Sequence, residues 1–261
     1  MVFESVATNL VSGDTNTNSD VFVRDRQTNQ TTRVSIATGG GQANGASLFP
    51  ALSADGRYVA FTSWATNLVP GDTNGKADIF VHDRQTGQTT RVSVTSAGVQ
   101  ASGDSLVPSL SADGRFVTYS SSAANLVTGD TNAKSDIFVR DRLLNQTSRV
   151  SVTSAGVQAS GDSLVPSLSA DGRFVTYSSS AATLVAGDTN NKSDVFVHDR
   201  QTGQTARASV RFDGSQANGD SLIPALSGDG QTIVFISTAT NLITGDTNGN
   251  ADVYVIGNPL P

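Results

Sequence analysis

Short apolar runs separated by glycine and asparagine turns recur along the whole chain. In the unit that begins at Ser105 they predict four strands, over residues 105–111, 116–120, 136–141 and 147–152. These runs are rich in Val, Ile, Phe, Tyr and Thr, the residue types that favour strands. Helical periodicity extends nowhere beyond a single turn, so the pattern predicts an all-β protein.

The same four-strand pattern returns at a fixed spacing. The tetrapeptide Gly-Asp-Thr-Asn begins every 58 residues, at Gly13, Gly71, Gly129, Gly187 and Gly245. Four short antiparallel strands in each repeat are typical of a β-propeller blade, and such blades must stack to bury their faces. We therefore expect one propeller domain over residues 1–261, with partial units 1–46 and 221–261 flanking complete units 47–104, 105–162 and 163–220.

The two ends of the chain carry incomplete units. The predicted second and third strands occur five times, whereas the first and fourth occur four times. We favour five blades of four-stranded type, the first lacking its innermost strand and the last lacking its outermost strand. An open arc that closes only by dimerising, or a fragment of a larger propeller, is the alternative, and an open arc would expose sheet faces unless a partner covered them.

Three segments of the repeat resemble a known family. They are Pro-x-Leu-Ser-x-Asp-Gly-Arg at 108–115, Asp-Ile-Phe-Val-x-Asp-Arg at 136–142, and Thr-Gly-x-Thr-x-Arg-Ala-Ser at 202–209. Together they resemble the propeller repeat of TolB and its relatives, the bacterial propellers of the TolB and prolyl oligopeptidase N-terminal type. The resemblance implies an exported protein, periplasmic or extracellular, that binds protein partners at the channel mouth. Residues 65–74 form an insertion where TolB-type blades are typically shorter.

The composition narrows the partners and the chemistry. The chain has 23 Asp and Glu against 17 Lys and Arg, a net charge of −6, and no basic run, which disfavours nucleic acid. It has no cysteine, which excludes disulfides, thiolate metal sites and cysteine nucleophiles. Its apolar runs are too short for a membrane span. Residues 1–5 do not resemble a signal peptide, so we expect any export signal to lie outside this sequence.

The inserted loop is the strongest candidate for metal chemistry. Asp72, Asn74 and Asp78 place side-chain oxygens at positions one, three and seven, which resembles the start of an EF-hand loop and predicts a structural calcium site. The loop lacks the acidic ligand at position five and the glutamate at position twelve, so turn capping by Asp and Asn is the alternative. The corresponding residues of the other repeats are Asp14, Asn16, Asp20, Asp130, Asn132, Asp136, Asp188, Asn190, Asp194, Asp246, Asn248 and Asp252.

A second set of acids, Asp104, Asp162 and Asp220, precedes the first strand of three repeats. Because the innermost strands line the channel of a propeller, these carboxylates could gather at one channel mouth and bind a cation or a basic partner. Capping of the strand start is the alternative, since Ala46 stands at this position in the preceding repeat.

The histidines and the repeated arginines are expected to be structural. His82 and His198 stand where other repeats have arginine or isoleucine, which predicts an exposed strand position and no general base. The fourth-strand arginines are expected to pair with carboxylates at the end of the third strand, Arg33, Arg91, Arg149 and Arg207 with Asp25, Asp83, Asp141 and Asp199. Such exposed pairs would contribute about 0–1 kcal/mol each.

These observations predict a protein that is not an enzyme. Glycoside hydrolases with five-bladed propellers use distinct carboxylates in unequal blades, but these blades are nearly identical and Glu4 is the only glutamate. We expect a binding or scaffold propeller for protein or peptide partners, monomeric, with a dimer through the end blades as the alternative. A calcium-stabilised adhesive or carbohydrate-binding module is a second hypothesis, and a glycoside hydrolase-like enzyme is a less favoured one.

Overall fold

The fold is built from strands alone. The structure, a computed structural model, describes residues 1–260, and this part of the chain contains eighteen strands and no helix. The strands form five antiparallel sheets, each made of consecutive strands. The prediction of an all-β protein with five blades, the first and the last incomplete, is confirmed.

The blades follow one another along the chain. Blade 1 contains β1 (Val2–Ser5), β2 (Asp20–Arg24) and β3 (Thr31–Arg33). Blade 2 contains β4 (Ser47–Leu52), β5 (Tyr58–Ser63), β6 (Asp78–Asp83) and β7 (Gln88–Arg91). Blade 3 contains β8 (Ser105–Leu110), β9 (Phe116–Ser121), β10 (Asp136–Asp141) and β11 (Gln146–Arg149). Blade 4 contains β12 (Ser163–Leu168), β13 (Phe174–Ser179), β14 (Asp194–Asp199) and β15 (Thr205–Arg207). Blade 5 contains β16 (Ser221–Leu226), β17 (Thr232–Ser237) and β18 (Asp252–Gly257).

The hydrophobic core lies between blades, where each sheet packs face to face on the next. Between blades 2 and 3, Ile79 and Val81 pack on Val117, Tyr119 and Phe138, all fully buried. Equivalent clusters join blades 1 and 2, 3 and 4, and 4 and 5. Burial of each large apolar side chain contributes about 1.5–3 kcal/mol, so the stacking of blades supplies most of the driving force for folding.

The innermost strands lie side by side around the inner surface. β4, β8, β12 and β16 contact one another in turn. The hairpins that follow them are also tied together, since the amides of Ala54, Ala112 and Ala170 donate to backbone carbonyls of the next blade's hairpin at 2.8–2.9 Å. These contacts hold the blades in a fixed order around a common inner surface.

The arc of blades is open at its ends. Within residues 1–260, no sheet combines strands from both ends of the chain. Val253 and Val255 of blade 5 are 67% and 65% exposed, whereas Ile79 and Val81 at the same repeat positions of blade 2 are buried. Blade 5 therefore presents a face that no other blade covers.

Candidate functional site

An arginine occupies the centre of each inserted loop in blades 1 to 4. In blade 2, Arg91 Nη1 lies 3.1 Å from Asp72 Oδ1 and 3.3 Å from Asp78 Oδ2. The Asn74 amide group donates to Asp78 Oδ2 at 2.8 Å, while its Oδ1 accepts from the Lys76 amide at 3.0 Å. The same ion pairs join Arg33 to Asp14 and Asp20, Arg149 to Asp130 and Asp136, and Arg207 to Asp188 and Asp194.

The second aspartate of each loop is a buried charge with several partners. Asp78 is fully buried, and besides Arg91 and Asn74 its carboxylate accepts from Ser93 Oγ at 2.5 Å. The first aspartate is less well compensated, because burial, with Asp78 nearby, raises the pKa of Asp72 above its usual value. A buried charge is tolerated only when it is paired and hydrogen-bonded, which is what the arginine and the serine accomplish.

The prediction that these arginines pair with the carboxylates at the end of the third strand was wrong. Arg91 lies opposite Phe80 in the middle of β6, not opposite Asp83 at its end, so its guanidinium reaches the inserted loop. Asp83 instead binds Arg57 through two parallel hydrogen bonds of 2.9 and 2.7 Å, and this pairing holds the pKa of Asp83 well below its usual range. Strand register decides this pairing, and repeat spacing alone does not specify it.

Calcium binding at the inserted loops stays a prediction. The arrangement gives the two carboxylates of each loop in blades 1 to 4 a cation from the chain itself, which calcium would have to displace. Across residues 1–260, no group of three or more His, Cys, Asp or Glu side chains is placed to hold a metal ion. The loops therefore work, as they stand, as ion-paired supports for the third and fourth strands.

The acids before the innermost strands tie neighbouring blades together. Asp104 Oδ1 accepts from the Ala77 amide at 2.9 Å, Asp162 Oδ1 from Ser135 at 2.9 Å, and Asp220 Oδ1 from Ser193 at 2.8 Å. Each donor belongs to the inserted loop of the preceding blade. The carboxylates stay partly solvent-accessible, as for Asp162, whose side chain is 47% exposed with Lys134 Nζ at 3.9 Å.

Both histidines are buried, and the prediction of an exposed position was wrong. His198 is 6% exposed, and its Nδ1 lies 2.9 Å from Thr205 Oγ1. That hydroxyl donates to the Val152 carbonyl of the preceding blade at 2.6 Å, so Nδ1 must carry the proton that it donates to Thr205. Burial lowers the pKa of His198 to about 4, which keeps the ring neutral at physiological pH. Thr205 thus links His198 to the preceding blade, a contact that the pattern of a single repeat does not reveal.

A strained apolar residue, which the sequence pattern does not reveal, lies on each innermost strand of blades 2 to 5. The strand register shifts at this point in all four blades. The residue that precedes the strand's proline adopts a left-handed backbone, with φ of 53° at Phe49, 52° at Val107, 51° at Val165 and 51° at Ile223. Such a conformation is costly for β-branched and aromatic residues. In the sequence, these residues are marked by an apolar residue directly before a proline at the same position of each repeat.

The bulges carry apolar side chains on the innermost strands. Phe49 and Ile223 are 44% and 57% exposed. The Phe49 amide donates to Glu4 Oε2 of blade 1 at 2.6 Å, and the Val107 amide donates to Thr62 Oγ1 of blade 2 at 3.2 Å. Contacts with the preceding blade thus stabilise the bulged backbone at Phe49 and Val107.

Solved propellers share this architecture. TolB from Acinetobacter baumannii superposes with a TM-score of 0.53 and 18% identity, over 92% of this chain and 46% of that one. The β-propeller domain of the Trilobed protease from Pyrococcus furiosus, described as having an open velcro topology, gives a TM-score of 0.52 and 9% identity over 91% and 60% of the two chains. A protein assigned as TolB from Agrobacterium tumefaciens gives 0.51 and 16% identity over 94% and 68%. The chain has a β-propeller fold like that of TolB.

The similarity of this chain to these solved proteins shows its fold alone. The chain spans about half the length of the Acinetobacter TolB that it matches. No protein-family model matches the sequence, and no curated protein sequence matches it. Among its described residues, none lie in a helix of the length and apolarity needed to cross a membrane.

Proposed function

We propose that this TolB-like propeller is a non-catalytic binding scaffold whose protein or peptide partner contacts the apolar bulges of the inner surface. The observation that carries the proposal is the row of left-handed residues at Phe49, Val107, Val165 and Ile223. Strained backbone persists only where the surrounding structure holds it, and it concentrates at functional sites. Exposed apolar groups in one row favour contact with another protein.

The polar residues support a non-catalytic role. The repeated aspartates and arginines pair with one another, and the repeated serines donate to the buried aspartates. His198 is neutral and hydrogen-bonded to Thr205, away from the inner row. The TolB-like fold further supports a periplasmic or extracellular location, where a propeller of this kind would meet protein partners.

A double variant tests the inner surface. Phe49→Asn and Ile223→Asn together replace two exposed apolar side chains by asparagine, which tolerates the left-handed backbone better than Phe or Ile. We expect this variant to keep or slightly gain stability and to lose binding of peptides that were selected on the wild type from a random display library. Stability and binding would then change in opposite directions, which general destabilisation cannot produce.

The matched control removes apolar groups of similar exposure elsewhere. Val99→Asn and Val157→Asn change residues that are 55% and 58% exposed on the turns after the outermost strands. We expect this control to bind the selected peptides as the wild type does. If the Phe49/Ile223 variant bound the selected peptides as tightly as the wild type does, the inner surface would not be the binding site. If the library enriched no peptide, the proposed scaffold function would be contradicted.

A further inference from the structure

The outer edge of β18 is an unpaired sheet edge. In the part of the chain that the structure describes, β18 pairs with β17 on one side only. In the other four blades the equivalent strands β2, β6, β10 and β14 pair on the outside with a short fourth strand. An exposed edge of this kind presents a row of unpaired amides and carbonyls that can accept another strand.

The fourth strand of blades 1 to 4 carries a constant set of side chains. Its pattern is Thr-x-Arg-x-Ser, at residues 31–35, 89–93, 147–151 and 205–209. In blade 4, Arg207 Nη1 lies 3.1 Å from Asp188 Oδ1 and 3.3 Å from Asp194 Oδ2, and Ser209 Oγ donates to Asp194 Oδ1 at 2.6 Å. The arginine and the serine therefore neutralise and satisfy two buried carboxylates.

Blade 5 keeps both carboxylates and lacks that arginine. Asp246 and Asp252 stand at the repeat positions of Asp188 and Asp194. Asp246 Oδ2 accepts from the Tyr254 hydroxyl at 3.2 Å, but its Oδ1 is buried and has no hydrogen-bond partner. Within residues 1–260, the Asp252 carboxylate accepts from the Asn248 amide group alone, at 3.1 and 3.3 Å. A cavity of about 490 Å³ lies against Asp246, Asn248 and Asp252.

A second cavity continues the same groove. It measures about 450 Å³ and lies between Val210 and Phe212 of blade 4 and Tyr254, Val255 and Gly257 of blade 5. In blade 4 the corresponding space is filled by Thr205, whose hydroxyl donates to the Val152 carbonyl and whose amide donates to Ser154 Oγ, at 2.6 and 3.0 Å. Phe212 stands at the repeat position of Ser154 and is 88% exposed, which adds an apolar contact to the groove.

We propose that the outer edge of β18 binds an extended segment of another polypeptide chain, which adds as a fourth strand and places an arginine between Asp246 and Asp252. The segment has the chemistry Thr-x-Arg-x-Ser. This docking site is separate from the inner surface of the preceding section and does not depend on it.

A second copy of this chain does not suit the edge. Each Thr-x-Arg-x-Ser segment in the described residues already pairs within its own blade, and its arginine already bridges two aspartates. Release of such a segment would leave two carboxylates buried without a cation. The occupant is therefore a chain with a free extended segment.

The site selects arginine over lysine. In blades 1 to 4 the guanidinium Nη1 contacts both carboxylates, and in blade 4 the same nitrogen also donates to Gln216 Oε1 at 3.0 Å. The second terminal nitrogen reaches a further acceptor in blade 1, where Arg33 Nη2 donates to the Gly13 carbonyl at 3.5 Å. A planar guanidinium with five donors can make these contacts together, whereas an ammonium cannot span them.

A synthetic peptide tests the proposal directly. The peptide Gln-Thr-Ser-Arg-Val-Ser-Val copies residues 146–152, and its binding to the 261-residue protein is measured by fluorescence anisotropy with an N-terminal label. We expect saturable binding at one site per chain. Replacement of the peptide arginine by alanine or lysine should weaken binding by about tenfold or more, and a scrambled peptide of the same composition should not saturate.

Protein variants locate the peptide. Asp252→Asn should weaken binding of the arginine peptide by about tenfold, and it should reduce the difference between the arginine and alanine peptides. Asp162→Asn, which removes one half-exposed carboxylate from another blade, is the charge-matched control and should leave binding unchanged. The Phe49→Asn/Ile223→Asn variant should also bind this peptide normally, which separates the result from the proposed function.

Three outcomes would overturn the proposal. The first is no saturable binding by the arginine peptide up to millimolar concentration. The second is equal binding of the arginine, lysine and alanine peptides, since the carboxylate pair would then play no part. The third is self-association of the protein in sedimentation that Asp252→Asn abolishes, because the edge would then belong to a second copy.

Discussion

The ring of Tyr58 in blade 2 packs directly on Gly114, the turn glycine of the first hairpin in blade 3. A β-carbon on Gly114 would lie 2.7 Å from Tyr58 Cγ, and Gly114 has a φ of +73°. Two guanidiniums cover the same ring, those of Arg57 and Arg142, at 4.7 and 4.6 Å from its centroid. The Asp-Gly turn is thus a contact between blades as well as the end of a hairpin.

Substitution of Gly114 by alanine should destabilise the protein by about 2 kcal/mol or more, because it adds a steric clash to an unfavourable positive φ. Gly98→Ala is the matched control, since Gly98 has a φ of +84° but no atom within 4 Å of its added β-carbon. We expect the control to cost about 1 kcal/mol. Urea unfolding measures both, and equal losses would show that Tyr58 moves aside at no cost.

Removal of Arg149 should destabilise blade 3 strongly. Arg149→Ala leaves Asp130 and Asp136 buried without their cation, a loss of about 3–5 kcal/mol. Arg57→Ala is the control, because the pair of Arg57 with Asp83 is more exposed and should cost about 1 kcal/mol. Thermal or urea unfolding in a chelator measures the two losses.

Calcium should stabilise the Arg149→Ala variant more than the wild type, because the variant frees the two carboxylates and the predicted calcium site with them. Calcium at a concentration 100-fold above its dissociation constant would raise the free energy of unfolding of the variant by about 2.7 kcal/mol. Melting curves in calcium and in chelator, for Arg149→Ala, Arg57→Ala and the wild type, check this. The same calcium response in all three proteins would contradict a site at the inserted loop.

The role of Asp162 can be read from two substitutions. Asp162→Asn keeps an oxygen that accepts from the Ser135 amide, so we expect a change within about 0.5 kcal/mol, whereas Asp162→Ala leaves that amide unpaired and should cost about 1 kcal/mol. Ala46→Asp is the converse experiment and should stabilise the start of β4. If Asp162→Asn lowered the free energy of unfolding as much as Asp162→Ala does, the carboxylate charge and not the hydrogen bond would be the stabilising feature. A cation site at the channel mouth requires that result.

Stability should fall in mild acid because of the buried histidines. The pKa of His198 is about 4 in the folded protein and about 6.5 as the unperturbed value, so the unfolded state binds a proton first as pH falls. Protonation of His198 therefore does not lower the free energy of unfolding above pH 6.5. Between pH 6.5 and pH 4 the free energy of unfolding falls progressively, by about 3 kcal/mol at pH 4. Burial lowers the pKa of His82 in the same direction.

The free energy of unfolding at several pH values between 7 and 4.5 tests this dependence. His198→Gln retains a donor for Thr205 and should flatten the curve over this range, and addition of His82→Gln should flatten it further. The paired carboxylates act in a lower range, since the pKa of Asp199 is lowered to about 2 by its contacts, mainly Arg173, against the effect of burial. An unchanged slope in both histidine variants would contradict the assignment.

The sequence located the repeated polar residues of the candidate sites but did not specify their contacts. The repeated Asp-x-Asn spacing predicted calcium ligands at the loops, which stays a prediction, and it did not reveal that Arg91 lies between Asp72 and Asp78. His198 stands where other repeats have arginine, which predicted an exposed position, whereas its ring is buried and hydrogen-bonded to Thr205. The bulge at Ile223 was overlooked because an apolar residue before proline has the same pattern in a regular strand.

The sequence by itself determined the architecture of this protein. Strand-forming runs, turn residues and a 58-residue period are local or repeated properties, so five blades and incomplete end sheets could be predicted before any coordinates. Tertiary structure alone decided which arginine meets which aspartate and which faces are covered. The physical reason is that a repeat identifies equivalent positions, whereas strand register and the stacking of one blade on the next determine the neighbours of each position.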